Sequence, residues 1–329
     1  MNTQIGAGEK VLITGTGLIA SYTGRLLREK GVPLVFVSPH ASAERLQTTL
    51  GPDLSGCAVE QGDVRDLLRL RELLRHHQVT RILHAGGVGG ARVNEQPYDA
   101  FGVNVQGFLT LLEAARLAEV RRTVLISSIF VYRTDPPLPL DPPAVEPLPY
   151  HMPANLYSAY KSAAEIAARA FARHTGMSVL NIRLAGAYGR GEFSGGGETA
   201  WLLQDVVRRA ISEPPGAPIE ARFRAGERIY GPDVADGLAR ALFVESPSHD
   251  VFNLGSGEIV GPANFAAALN AAVPGAKIVP VEVGPADTPL VDLTRIGYEL
   301  GYLPKWPLER AIANFVDQLR AEGGRGRET

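Results

Sequence analysis

The sequence predicts an α/β fold, a doubly wound parallel sheet with helices on both faces and a smaller C-terminal lobe. Three observations carry this prediction. The first half alternates short apolar runs with stretches of helical periodicity, the pattern of repeated β-α units. Those apolar runs are continuous rather than alternating, as strands buried on both faces require. A glycine-rich turn, Gly15-Thr16-Gly17, joins the first run to the first helical stretch.

Residues 11–14 (VLIT) form the first expected strand, with a helix running from the glycine turn to Lys30. The second strand is 34–37 and the third 57–60, followed by Gly62-Asp63-Val64 and a leucine-rich helix over 66–76. Residues 81–84 give the fourth strand and run into the small-residue segment 85–91. A long helix is expected over 98–118, because Phe101, Val105, Phe108, Leu112 and Ala115 recur at three- and four-residue spacing along one stripe. The fifth strand is 123–127, an alanine-rich helix covers 155–174, and the sixth strand is 179–184.

Beyond Gly186 the pattern changes. Glycines across 189–197 predict a flexible linker, a helix follows over 199–211, and Pro214-Pro215 marks a turn. Residues 251–254 return as a strand and 262–272 as a helix. We therefore assign residues 1–185, with 226–255 returning to them, to one domain, and 186–225 with 256–329 to the lobe. Eight prolines between Thr134 and Pro153 exclude a helix or central strand there. They make a stiff surface loop or a cover over the functional site, and a position between two candidate functional residues favours the cover.

Composition narrows the function classes. A net charge of -2 gives no basic field for nucleic acid or an anionic membrane. The single cysteine, Cys57, forbids an internal disulfide and suits a reducing compartment. The first ten residues lack a signal-peptide core, and no apolar run approaches the ~18 residues of a spanning helix, so a cytoplasmic protein is expected. The seven histidines show no zinc spacing and no EF-hand loop is present, so no metal is expected.

The turn Gly15-Thr16-Gly17-Leu18-Ile19-Ala20 follows a strand and opens a helix. Glycine lets the backbone approach a pyrophosphate, and a helix start offers free N–H groups and partial positive charge. In that context the string marks a Rossmann-type dinucleotide site, with Gly15, Gly17, Leu18 and Ile19 at the pyrophosphate. After the second strand, where an acid would bond the adenosine ribose, stands Ser38-Pro39-His40, with no acid before Glu44. His40 or Arg45 could meet a 2′-phosphate there, which leans away from strict NAD selectivity, so the cofactor is NAD(P). Asp63 is placed either to accept a bond from the adenine amino group or to cap the following helix.

Tyr157 and Lys161 stand at i and i+4, side by side on one helical face. An ammonium beside a phenol favours the phenolate, which lets a tyrosine exchange protons with a substrate oxygen. Ser128 closes a central strand, where its hydroxyl can polarise the same oxygen.

Ser127-Ser128-Ile129-Phe130-Val131-Tyr132 followed by Tyr157-x-x-x-Lys161 resembles the NAD-dependent epimerase/dehydratase family, the extended short-chain dehydrogenase/reductases. Gly62-Asp63-Val64-Arg65-Asp66, His84-Ala85-Gly86-Gly87, Asn104-Val105-Gln106-Gly107, Asp233-Val234-Ala235 and Phe252-Asn253-Leu254-Gly255-Ser256-Gly257 resemble further family motifs. The resemblance implies that Lys161 also holds the nicotinamide ribose, that Asp63 and Val64 flank the adenine, and that Ala85, Gly86 and Gly87 line the cofactor groove. Asn104 is implied behind the triad, in a proton-relay or structural role, and is counted with the cofactor site. The helices over 98–118 and 155–174 are implied to pair with a second copy as a four-helix bundle, so a homodimer is expected.

Four departures bear on the reaction. The glycine turn is one residue shorter than the family's T-G-x-x-G-x-x-G, and Ala20 replaces its last glycine. Gly186, in Arg183-Leu184-Ala185-Gly186, stands where nucleotide-sugar enzymes of the family carry asparagine. The arginine of the family's R-D-x-x-x-V-x-D pattern is out of register before Asp233, although Arg222, Arg224 and Arg228 are near. Ile129 and Phe130 replace the acid pair that follows the serine in dehydratases, so dehydration is not expected.

The expected activity is NAD(P)-dependent hydride transfer at a secondary alcohol or ketone of a sugar, sugar acid or similar small hydroxy compound. Tyr157 is the expected general acid/base, with Val88, Ser128, Tyr157, Gly186 and Arg228 toward the substrate. An epimerase that keeps its cofactor is the alternative, and a non-catalytic cofactor-binding sensor the third reading.

Overall fold

A computed structural model of the chain describes residues 5–132, 155–191 and 197–325. The proline-rich stretch 134–153 and part of the glycine linker, 192–196, lie outside the described residues. The main domain begins with β1 (Val11–Thr14), α1 (Leu18–Glu29), β2 (Leu34–Ser38), α2 (Ala43–Leu50), β3 (Cys57–Gln61), α3 (Leu67–His76) and β4 (Arg81–His84). It continues through α4 (Ala91–Glu95), α5 (Pro97–Phe101), α6 (Gly107–Leu117), β5 (Arg122–Ser128), α7 (Leu156–Thr175) and β6 (Ser178–Leu184). The remainder is β7 (Gly186–Tyr188), α8 (Glu198–Ser212), β8 (Pro218–Phe223), β9 (Gly226–Tyr230), α9 (Gly231–Phe243) and β10 (Val251–Leu254). The chain then runs through β11 (Ile259–Val260), α10 (Pro262–Ala272), β12 (Lys277–Glu282), α11 (Thr294–Leu300) and α12 (Leu308–Arg325).

The main sheet has seven parallel strands in the order β10-β6-β5-β4-β1-β2-β3. Alternate residues of its strands enter separate cores, as the two-residue period of a strand demands. Val11, Ile13, Leu34 and Phe36 pack with Ala20 and Leu27 of α1 and Val234 and Leu238 of α9. Leu12, Val35 and Val37 pack with Leu70 and Leu73 of α3 and Leu111 and Ala115 of α6. Filling both faces explains why the strand sequences are continuously apolar. The strand order reverses at β1, which pairs with β2 on one side and β4 on the other. A crevice at the carboxyl ends of the strands therefore opens there, where such sheets bind ligands.

The helix expected over 98–118 is interrupted. Between α5 and α6 residues 102–106 form one π-helical turn. Gly107, just beyond it, lies against Val64, and a Cβ there would sit 2.5 Å from Val64 Cγ2. The wider turn buries Asn104 and Val105, and such turns recur at functional sites.

In the lobe, β11-β9-β7 and β12-β8 form two small sheets. They pack with α8, α10 and α12 around Leu203, Val207, Phe265, Ile312 and Phe315. Strand β9, grouped by sequence with the main domain, pairs in the first of these small sheets instead. The return to the main sheet is made by α9 and β10. No helix of the described residues is long and apolar enough to cross a membrane.

Candidate active site

A cleft of about 1160 Å³ lies over the carboxyl ends of the main-sheet strands and beneath the lobe. The sequence-selected residues Gly15, Gly17, Leu18, Ile19, Ser38, Asp63, Val64, Ala85, Gly86 and Gly87 all line it. So do Val88, Ser128, Tyr157, Lys161, Gly186 and Arg228. Asn104 does not: its Oδ1 accepts the Val88 N–H at 2.8 Å and its Nδ2 donates to the Val88 carbonyl at 2.8 Å. Both ends of its amide are spent holding Val88 in the cleft wall.

The floor of the cleft is built by close backbone approach. Gly15 has φ +83°, and a Cβ on it would lie 3.1 Å from Gly86 Cα, so the turns after β1 and β4 touch. Thr14 Oγ1 accepts the Gly86 N–H at 3.0 Å and lies 2.9 Å from His84 Nδ1. The threonine hydroxyl thus ties the Gly86 backbone to the His84 ring. Burial, aided by the positive Lys161, pushes the His84 pKa down to about 3. Phe108 stacks on its ring at 5.1 Å. Sequence reading missed the pairing of Thr14 with His84, because only the fold brings the ends of β1 and β4 together.

These residues fit a dinucleotide. Gly17 precedes α1 without a side-chain cap, and the first turn of α1 contains no acid, which leaves helix-start N–H groups available to a pyrophosphate. Asp63 is not the helix cap; Asp66 fills that role, accepting the Arg69 N–H at 3.0 Å. The Arg65 guanidinium forks onto Asp63 at 3.0 and 2.6 Å and holds its carboxyl below the usual range. Ser38 and His40 line the cleft at the end of β2, with no carboxylate among them.

Ser128 ends β5, and its Oγ accepts the Phe130 N–H at 3.2 Å. A capping box between Asn155 and Ser158 starts α7 and sets Tyr157 in its first turn. The Ser128 side chain is near enough to the Tyr157 hydroxyl to draw the phenol's pKa down. One turn on, Lys161 Nζ lies 5.7 Å from the Tyr157 ring centroid and donates to the Ile126 carbonyl at 2.7 Å. Burial raises the Tyr157 pKa, partly offset by Ser128, and lowers that of Lys161 to about 8. Sequence reasoning has Lys161 pulling the phenol down; in this site desolvation is the largest influence on Tyr157, and the ammonium is turned to a backbone carbonyl.

Behind the triad lies a network that sequence reading did not single out. Glu165, one turn beyond Lys161 on α7, receives Ser127 Oγ at 3.0 Å and Arg183 Nε at 3.1 Å. Arg183 also packs over the Tyr132 ring, 4.7 Å from its centroid. The spacing Tyr157, Lys161, Glu165 was its available signal, since i, i+4 and i+8 share a helical face.

On the lobe side, Gly186 of β7 pairs with Arg228 of β9. Arg228 is 4% exposed and bonds Asp287 Oδ2 at 2.6 Å, Thr288 Oγ1 at 3.2 Å and the Arg224 and Glu227 carbonyls. Asp287 and Thr288 carry no sequence motif and were not anticipated.

Comparison with known proteins agrees with this geometry. The profile of the NAD dependent epimerase/dehydratase family matches residues 11–255. UDP-glucuronate 4-epimerase 5 of Arabidopsis thaliana is 25% identical over 94% of this chain and 75% of that protein. UDP-glucose 4-epimerase of Rhizobium leguminosarum bv. trifolii is 31% identical over 69% of this chain and 65% of that protein. This chain thus spans about two thirds to three quarters of the length of those relatives. Among solved structures, Thermotoga maritima UDP-glucose 4-epimerase with UDP-glucose shares the fold at TM-score 0.78 and 20% identity, over 95% of this chain and 99% of that one. Thermus thermophilus UDP-glucose 4-epimerase with NAD does so at 0.75 and 23%, over 94% and 99%. With three quarters of its length matched by the family and its cleft built on the same fold, the chain belongs to the NAD-dependent epimerase/dehydratase family and is an enzyme of the extended short-chain dehydrogenase type.

Proposed function

We propose that this enzyme moves a hydride at a secondary alcohol or ketone of a sugar, sugar acid or similar small hydroxy compound, with Tyr157 as general acid/base. The observation that carries the reading is the convergence of Ser128, Tyr157 and, one turn on, Lys161 on the same cleft as the start of α1. A nicotinamide ring bound there supplies the hydride acceptor or donor. Gly15, Gly17, Leu18 and Ile19 hold its pyrophosphate, Ala85 to Gly87 the groove, and Lys161 the ribose. Ser128 orients the substrate oxygen. Tyr157 takes the hydroxyl proton from that oxygen as its carbon loses hydride, or returns it when a ketone is reduced.

The Ser38-Pro39-His40 end of β2 supports a cofactor site that does not insist on NAD over NADP. A homodimer through α5, α6 and α7 is part of the same reading. The relatives' names, all 4-epimerases among those compared above, favour a second reading in which the cofactor stays bound and hydride returns to the opposite face. Mass analysis of nucleotide released on denaturation separates the two, since near-stoichiometric release marks the epimerase. Replacing Tyr157 by Phe should lower turnover by about 10²–10⁴-fold with cofactor affinity kept. Full turnover in that protein would refute the assignment.

A further inference from the structure

Resting on that reading of the cleft, we infer that its lobe half takes a polyhydroxylated substrate without a diphosphate, and that Asp287 is the specificity-determining residue. The start of α1 opens on the cleft from the main domain, and the start of α8 opens on it from the lobe. That of α1 has a glycine at its head and no acid in its first turn, whereas α8 carries Glu198 in its first turn. A carboxylate there occupies the positive end of the helix that an anion would seek. The dinucleotide pyrophosphate therefore has a berth, and the lobe's helix start offers none to a second diphosphate.

The cations tell the same story. Among the described residues on the lobe side and the facing lip, Arg228 and Arg92 line the cleft. Arg228 is buried, and its fork is taken by Asp287, Thr288 and two carbonyls. The guanidinium position that remains, Nε, is itself buried without a partner, so no face of the group is presented to a phosphate. Gly186 contributes no side-chain donor, and a Cβ there would meet Arg228 Cδ and Nη1 at 2.9 Å. Asp287, 21% exposed against 4% for Arg228, is the member of the pair a ligand meets. It accepts bonds from hydroxyls and repels phosphates. Arg92 adds one exposed positive charge, a match for a single carboxylate at most. Glu198 and Asp287 together cancel Arg92 and Arg228, and diphosphate recognition needs surplus cations or open donors.

The test is calorimetric titration of the full chain, saturated with NAD or NADP, with UDP-glucose and with UDP. We expect no binding by the wild type tighter than about 1 mM, and at least about tenfold tightening in Asp287→Ala, where Arg228 is released. Glu198→Gln, on an exposed side chain that leaves the core untouched, should tighten UDP in the same direction by a smaller factor. Micromolar binding of UDP-glucose by the wild type would overturn the inference, as would unchanged or weaker UDP binding in both variants. A preparation that takes up no nicotinamide nucleotide would overturn the underlying reading of the cleft instead. Loss of the specificity inference with cofactor uptake intact leaves that reading standing.

Discussion

Burial moves the two titrating groups of the site in opposite directions, Tyr157 up and Lys161 down to about 8. A protonated phenol at neutral pH is suited to give its proton to a ketone oxygen, whereas alcohol oxidation needs the phenolate. Initial rates of oxidation should therefore climb across pH 7 to 9 while reduction does not, and oxidation that is flat over that range would contradict Tyr157 as the base. Lys161 has a linked effect on stability. Its folded pKa lies below the unfolded value near 10.4, so the unfolded chain binds the extra proton and stability rises with pH between about 8 and 10. Melting curves of the wild type should gain on those of Lys161→Met across that window, and a constant offset would deny that Lys161 titrates there. The triad was legible in the sequence because helical geometry converts a four-residue spacing into adjacency. The pairing of Arg228 with Asp287 was not, since 59 positions separate them and only the lobe's fold joins them.

Helix α7 is fixed to the sheet by one buried carboxylate. Glu165 binds Ser127, the neighbour of Ser128 on β5, and Arg183 on β6, so a single side chain sets the helix bearing Tyr157 against the strand bearing Ser128. Glu165→Ala leaves the buried Arg183 without its carboxylate, which should cost about 3–5 kcal/mol of stability. As a positioning residue it should lower kcat more than it raises KM, with partial rescue in Glu165→Gln. Denaturant unfolding and steady-state rates check both, and a stability loss with unchanged kcat would make the role purely structural. At this scale the main-sheet strands were readable, since both faces are filled by apolar residues. Helix α12 also repeats Leu308, Ala311, Ile312, Phe315, Val316 and Leu319 at helical spacing, a signal present in the sequence but not used. The strands β7 and β11 have three and two residues and carry no period at all. The π-helical turn was invisible because one extra residue per turn barely perturbs a stripe of apolar positions.

For the whole molecule, the proposed homodimer needs an apolar face, and α5 and α7 expose one. Tyr98 is 91% exposed, Phe101 44%, Leu156 40% and Ile166 69%, and they lie on α5 and α7. Those helices are tied together by the Tyr160 hydroxyl, which donates to the Pro97 carbonyl at 3.1 Å, and by the Phe101–Tyr160 edge contact. Exposed apolar groups on adjoining helices suit an interaction surface, and a two-fold axis through such a face would let each copy cover the other's patch. Sedimentation should give twice the chain mass at micromolar concentration. Ile166→Glu would bury an unpaired carboxylate at the interface, at a cost of several kcal/mol, and should shift the species to monomer. Ile166 does not line the cleft, so that monomer should still bind the nicotinamide nucleotide. A monomeric wild type would refute the dimer. A dimer unaffected by Ile166→Glu would place the shared face elsewhere on the molecule.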